Sequence, residues 1–146
     1  MRYRIGIDPG WNTLGFAIWD REKRELSGLR QTTFWDAIGM ITAFYQEHQD
    51  DMAVHIEDPN KNKPVFHRPG ESPREKLKRA QDVGRNKQTA TYLLEYCKRQ
   101  GIKAYGHRPG AGSLTKLNAD EFNRITRYQG RSNQHSRDAA MLVFDR

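Results

Sequence analysis

The chain has 146 residues with one cysteine, a formal net charge of +7 and 36% hydrophobic residues. That length suits one domain spanning 1–146, with a core that needs no staples. The lone Cys97 excludes an internal disulfide framework and a cysteine-rich zinc site, and no apolar run is long enough for a membrane span. With no signal-peptide pattern ahead of the first strand, the expectation is a soluble cytoplasmic protein, or one of the host cytoplasm if phage-encoded.

In chain order, Arg4–Ile7 and Gly15–Trp19 read as the first two strands, joined by a turn holding Pro9, Gly10 and Asn12. Glu25–Arg30 reads as a third, and the three form an antiparallel meander. Thr33 is an N-cap candidate with Asp36 three residues on, and Phe34, Ile38, Ile41 and Tyr45 follow at helical spacing, so 34–48 is expected to be an amphipathic helix. Ala53–Ile56 is a short strand. Residues 59–72, with Pro64, Pro69 and Gly70, read as a loop. Residues 73–99 read as a helix, interrupted near Gly84, that buries Ala90, Leu93, Leu94 and Cys97 and ends at Gly101. Ile102–Tyr105 is a fifth strand, HRPGAGS a Gly/Pro loop, Asn118 the cap of a short helix, and Gln134–Phe144 the final helix. The order β-β-β-α-β-α-β-α-α implies an α/β fold with a mixed sheet flanked by helices.

Charge is unevenly distributed. Residues 1–58 hold 6 Lys/Arg against 10 Asp/Glu; 59–88 hold 9 against 3, and 98–137 hold 9 against 2. Two basic segments beside an acidic one suggest a polyanionic partner such as nucleic acid. The candidate phosphate contacts are Lys61, Lys63, Arg68, Arg74, Lys76 and Lys78, followed by Arg79, Arg85, Lys87, Arg108 and Lys116. Phe66, flanked by cations in the first loop, is a candidate for stacking on a base.

Three acids stand apart from that pattern. Asp8 ends the first strand and Glu57 the fourth. Asp138 lies three residues after His135 on the final helix, and that spacing puts the two on one helix face. If strands one and four are neighbours, Asp8 and Glu57 lie side by side. Clustered acids repel unless a cation joins them. Hard divalent cations, Mg²⁺ or Mn²⁺, take oxygen ligands, and two such ions about 4 Å apart can drive phosphodiester hydrolysis. Taken singly, each residue has a plainer explanation: a turn former, a surface acid, a helix-start acid, a surface histidine.

Ile5-Gly6-Ile7-Asp8-Pro9-Gly10 resembles the opening strand of the RuvC Holliday junction resolvases. Val54-His55-Ile56-Glu57 resembles their second acidic strand, and His135-Ser-Arg-Asp138-Ala-Ala their last helix. The resemblance spans nearly the whole chain. It implies an RNase H-like five-stranded mixed sheet, with a three-strand antiparallel meander plus two parallel strands. It also implies a homodimer, two Mg²⁺ or Mn²⁺ ions per site, and paired nicking of four-way DNA junctions. Asp8, Glu57, Asp138 and His135 become the metal-site and catalytic residues, with Lys116 a basic catalytic position. The chain departs from the family between Glu57 and Gly84, which is longer here, and in its first aromatic after the glutamate, Phe66, nine residues on. These departures bear on junction specificity more than on nuclease chemistry.

Other readings are a broader branched-DNA or flap nuclease, an RNase H, a catalytically silent nucleic-acid-binding module, and an actin-like ATP-binding domain. The last needs a second Gly-rich phosphate loop that the chain lacks. A substrate panel separates the nucleases, and a nicking assay with Mg²⁺ separates them from a silent module. The sequence does not indicate a helicase partner.

Overall fold

The computed structural model describes residues 1–10, 12–62, 68–110 and 116–146. Five strands, β1 (Tyr3–Asp8), β2 (Leu14–Asp20), β3 (Glu25–Thr32), β4 (Met52–Glu57) and β5 (Ala104–His107), form one sheet in the order β3-β2-β1-β4-β5. β1–β2 and β2–β3 are antiparallel, and β1–β4 and β4–β5 are parallel. The expected meander plus two parallel strands is therefore the observed sheet. β1 and β4 occupy its centre, where both faces are covered, which is why each reads as a nearly continuous apolar run. Edge strand β3 alternates, and its pairing with β2 shifts register between Phe16 and Ile18, where Gly28 takes φ +65° to turn the backbone.

One face of the sheet packs against α1 (Phe34–His48) and α2 (Pro73–Gln100). Ile5, Ile7, Val54 and Ile56 meet Ala37 and Ile41 of α1 and Ala90, Leu93 and Cys97 of α2. The Cys97 thiol is wholly buried, and burial pushes it up to about 11, so it is a core group and not a nucleophile. The other face packs against α3 (Ala119–Thr126) and α4 (Gln134–Val143) through Ala17, Trp19, Phe122, Ala139, Ala140 and Val143.

Thr33 caps α1, its side chain accepting from the Asp36 amide at 3.2 Å. Asn118 with Glu121 makes a reciprocal capping box on α3. Ser72 with Glu75 makes another on α2, ahead of Pro73, and Gly101 at φ +73° ends that helix. The expected interruption near Gly84 does not occur. α2 runs 28 residues without a break, because the caps at its ends outweigh one interior glycine, which costs only about 1 kcal/mol. β5 begins two residues later than expected and includes His107. Its parallel register against β4, Val54 with Ala104 to Glu57 with His107, sets those limits, and no local pattern does.

Candidate active site

Parallel pairing puts Ile7 opposite Ile56, so the next residues, Asp8 and Glu57, stand at the same carboxyl edge of the sheet. What brings the last helix to them is a pair of glycines. A Cβ on Gly6 would lie 2.0 Å from the Ala139 carbonyl oxygen, and one on Gly15 would lie 1.9 Å from that of His135. Only a strand surface without side chains at those two points lets α4 lie this close, and its first turn then reaches Asp8.

His135 Nδ1 is 3.0 Å from Asp8 Oδ2. Asp138 Oδ1 accepts from the Gln134 side-chain amide at 2.9 Å and from the Lys116 backbone amide at 3.1 Å. Lys116 takes φ +55° to make that contact, an uncommon conformation for a residue with a side chain. Arg137 fixes the approach of this loop, donating from Nε to the Leu117 carbonyl at 2.8 Å and from a terminal nitrogen to that of Ser132 at 3.0 Å.

The electrostatics reflect the crowding. Burial, then the charges of Asp8 and Asp138, push Glu57 up to about 7, opposed by Lys116. Asp8 is raised by burial and by Asp138, with the His135 contact opposing. Three residues from distant parts of the chain, Asp8, Asp138 and Lys116, thus act on the Glu57 carboxyl group. Among the described residues, no three His, Cys, Asp or Glu side chains stand in a finished metal cage, because Asp8 is turned to His135 and Asp138 to its two amide donors. The donor set nevertheless suits a hard divalent cation: the carboxyl groups of Asp8, Glu57 and Asp138 supply oxygen ligands, and a cation would offset the burial and the neighbouring charges that raise Glu57.

The five residues Asp8, Glu57, His135, Asp138 and Lys116 are therefore brought together. The expected DNA contacts lie on several elements: the turn after β4, α2 and the loops around them. Arg79 donates to both Glu71 carboxylate oxygens, at 2.7 and 3.0 Å, so it is a fold contact that ties the preceding loop to α2. Lys61 Nζ bonds the Gly106 carbonyl at 2.6 Å. Arg74, Lys78 and Arg85 share one face of α2 by their spacing, while Lys76 and Lys87 fall on another. Arg68 and Arg108 are exposed in loops. Lys63 and Phe66 lie outside the described residues. The glycine seats of α4 and the Lys116 amide contact were missed in the sequence, since both depend on pairings across most of the chain.

Solved structures similar to the chain include two of RuvC. One is that of T. thermophilus RuvC in complex with Holliday junction substrate: 20% identity, TM-score 0.57, covering 99% of this chain and 91% of that one. The other is a Thermus thermophilus RuvC structure: 19% identity, TM-score 0.52, covering 97% and 91%. Likeness at this identity establishes the fold, which is the RNase H-like fold of those proteins. No family model and no curated protein matches the chain.

Proposed function

We propose that the chain is a divalent-metal-dependent endonuclease for branched DNA, chiefly four-way junctions, acting as a homodimer that makes paired nicks. The observation that carries this reading is the convergence of Asp8, Glu57 and Asp138 at one sheet edge, close enough that the other two raise Glu57. Asp8, Glu57 and Asp138 would hold Mg²⁺ or Mn²⁺, with His135 at the rim. When bound, such ions activate water and stabilise charge on the leaving oxygen.

The reaction is hydrolysis: a water oxygen forms a bond to phosphorus, and the bond to the 3′ oxygen breaks. His135, bonded to Asp8 through Nδ1 and half-exposed, can hold or move a proton at Nε2. Lys116 faces Glu57 closely enough to lower it, so its ammonium stands where a scissile phosphate would gather negative charge. The basic segments would hold DNA arms through phosphates with little base readout. A four-way junction has two-fold symmetry, and two coordinated cuts require two sites related by the same symmetry, which an isologous dimer supplies.

The test is cleavage in Mg²⁺ of a four-way junction beside linear duplex, flap, three-way and RNA–DNA substrates. Symmetric paired nicks on the junction are expected, with little cutting of linear duplex. Equal cutting of flaps and junctions would favour a broader branched-DNA nuclease, cutting of the RNA strand an RNase H, and no cutting would overturn the reading.

A further inference from the structure

A second cluster of titratable groups lies on the same face of the sheet as α4 but past the edge of that helix. Strand parity sorts its members. Gly6 faces Ala139 of α4, whereas Gly106 faces Asp58 and Leu94 on the opposite side. Arg4, His55, Glu57, Tyr105 and His107 therefore share the α4 face. No β5 residue joins the core beneath α3 and α4, and Tyr105 is 49% exposed. Register sets the order along this strip. Glu57 pairs with His107, so His107 continues the row of Asp8 and Glu57. His55 pairs with Tyr105 one pleat behind, and Arg4 pairs with Ala53 one pleat further back.

The rings touch one another. His55 Nδ1 and His107 Nε2 are 2.8 Å apart, one donating to the other. Their rings stack at 5.0 Å, and Tyr105 lies 5.4 Å from His55. Cations surround them. Burial, then His107, Arg4 and Arg146, push His55 down to about 4. Burial, Arg146 and Lys61 lower His107, and burial, Arg21 and Arg146 lower Arg4. Among the described residues, no carboxylate is one of the charges acting on these three. Arg2 is held by Asp20 and Glu22, and Arg24 by Asp145, but no described carboxylate pairs with Arg4 or Arg146.

Unpaired guanidinium groups repel as the clustered acids do, and an anion would offset them. The exposed ring beside them suits an anion that itself carries flat rings. Position narrows the class further. A strand cut at Asp8 and Glu57 continues on both sides of the scissile phosphate, and the next side chain along that row is His107. Arg4 lies four residues back along β1, about 13 Å from the edge. Phosphates would meet Arg4 and Arg146, and a base would stack on Tyr105.

We propose that the strip formed by His107, Tyr105, Arg4 and Arg146 binds the nucleic-acid strand that flanks the scissile phosphate, with His55 holding the His107 ring from beneath. The inference rests on the nuclease reading above, which supplies the point where the strand enters. It deepens that reading with a contact site made of none of the cations that the charge pattern singled out.

The experiment uses the full chain in EDTA, which stops cleavage, titrated with a fluorescent single strand and with a four-way junction. Tyr105→Ala should weaken single-strand binding at least about fivefold, with the melting temperature unchanged because the side chain is exposed. Arg4→Met keeps the stem and removes the charge; it should lower the log–log salt slope by about one, and Arg4→Lys should restore it. Unchanged affinity in Tyr105→Ala together with an unchanged slope in Arg4→Met would overturn the proposal. So would a change from dimer to monomer in Tyr105→Ala with the affinity intact, which would make the strip a self-association surface. A chain that shows both losses but cuts no substrate in Mg²⁺ would sink the nuclease reading and leave the strip standing as a binding site. A chain that cuts junctions while both variants bind as the wild type does would sink the strip alone.

Discussion

Glu57 and Asp58 are adjacent acids with different surroundings. Asp58 is buried and accepts from the Asn60 backbone and side-chain nitrogens at 3.0 and 2.8 Å, capping the turn at Pro59–Lys61. Glu57 has no such donor set and is raised instead. That difference was not legible in the sequence, where both acids follow the same strand. Which one faces the site depends on strand parity and on the turn that claims the other. The shift carries a stability consequence. Glu57 titrates at about 7 in the fold, against about 4.3 in an unfolded chain. Both states hold the proton below the lower value, so Glu57 costs nothing there. As pH rises between the two, the unfolded chain ionises first and the fold loses stability. Metal-free Glu57→Gln should therefore melt above the wild type at pH 7.5, and the gap should close near pH 4. Mg²⁺ should raise the wild type more than the variant at pH 7.5. Calorimetric melts in EDTA and in Mg²⁺ check this; a variant that melts lower at pH 7.5 without metal would contradict the assigned crowding.

At the scale of elements, the two halves of the site differ in how they are built. β1 and β4 deliver Asp8 and Glu57 by register, and this was legible because an acid closing each buried run marks a strand end. α4 delivers His135 and Asp138 by contact, and its seats, Gly6 and Gly15, look like ordinary strand glycines until the helix is laid over them. Gly15→Ala should displace the first turn of α4, because the new Cβ meets backbone atoms of His135 and Ser136, which have no rotamer to escape into. A loss of roughly 1–3 kcal/mol is expected from the overpacking. Junction cleavage should fall about a hundredfold from the misplaced site, with junction binding kept within threefold. Denaturant melts and single-turnover cleavage report the two effects; full activity would mean that α4 is not set by this contact. α2 was recognised as a helix, but not its continuity, which comes from its caps and its C-terminal packing. Of its residues, only Ala90, Leu93 and Cys97 are buried. Amides of residues 74–85 should therefore exchange faster with solvent than those of 90–100. Bound junction should slow exchange in the first set, and exchange mass spectrometry resolves both.

For the whole molecule, the charge asymmetry seen in the sequence survives folding in altered form. The acids of residues 1–58 supply two members of the site, Asp8 and Glu57, and the basic segments supply the start of α2 and the loops after β5. Some cations are held internally, as Arg79 is by Glu71 and Lys61 by Gly106. The number that meets phosphates is therefore smaller than the sequence count. Junction affinity should still fall steeply with salt, with a log–log slope of several units. Arg74→Ala and Lys78→Ala should each reduce it by about one, as fluorescence anisotropy between 50 and 300 mM salt would show. A flat dependence would remove the phosphate contacts from the binding mode.

The assignment of the acids themselves is tested most directly by one comparison: cleavage of a four-way junction in Mg²⁺ by the wild type and by Asp8→Asn, with binding of the same junction measured alongside. The substitution keeps the side chain's size and leaves an oxygen for His135, but removes the charge. Cleavage should fall by at least about a thousandfold, a loss of roughly 4 kcal/mol in the barrier difference, while binding stays within about tenfold because it rests on phosphate contacts made elsewhere. Cleavage retained by Asp8→Asn would contradict the assignment of this sheet edge as the catalytic centre.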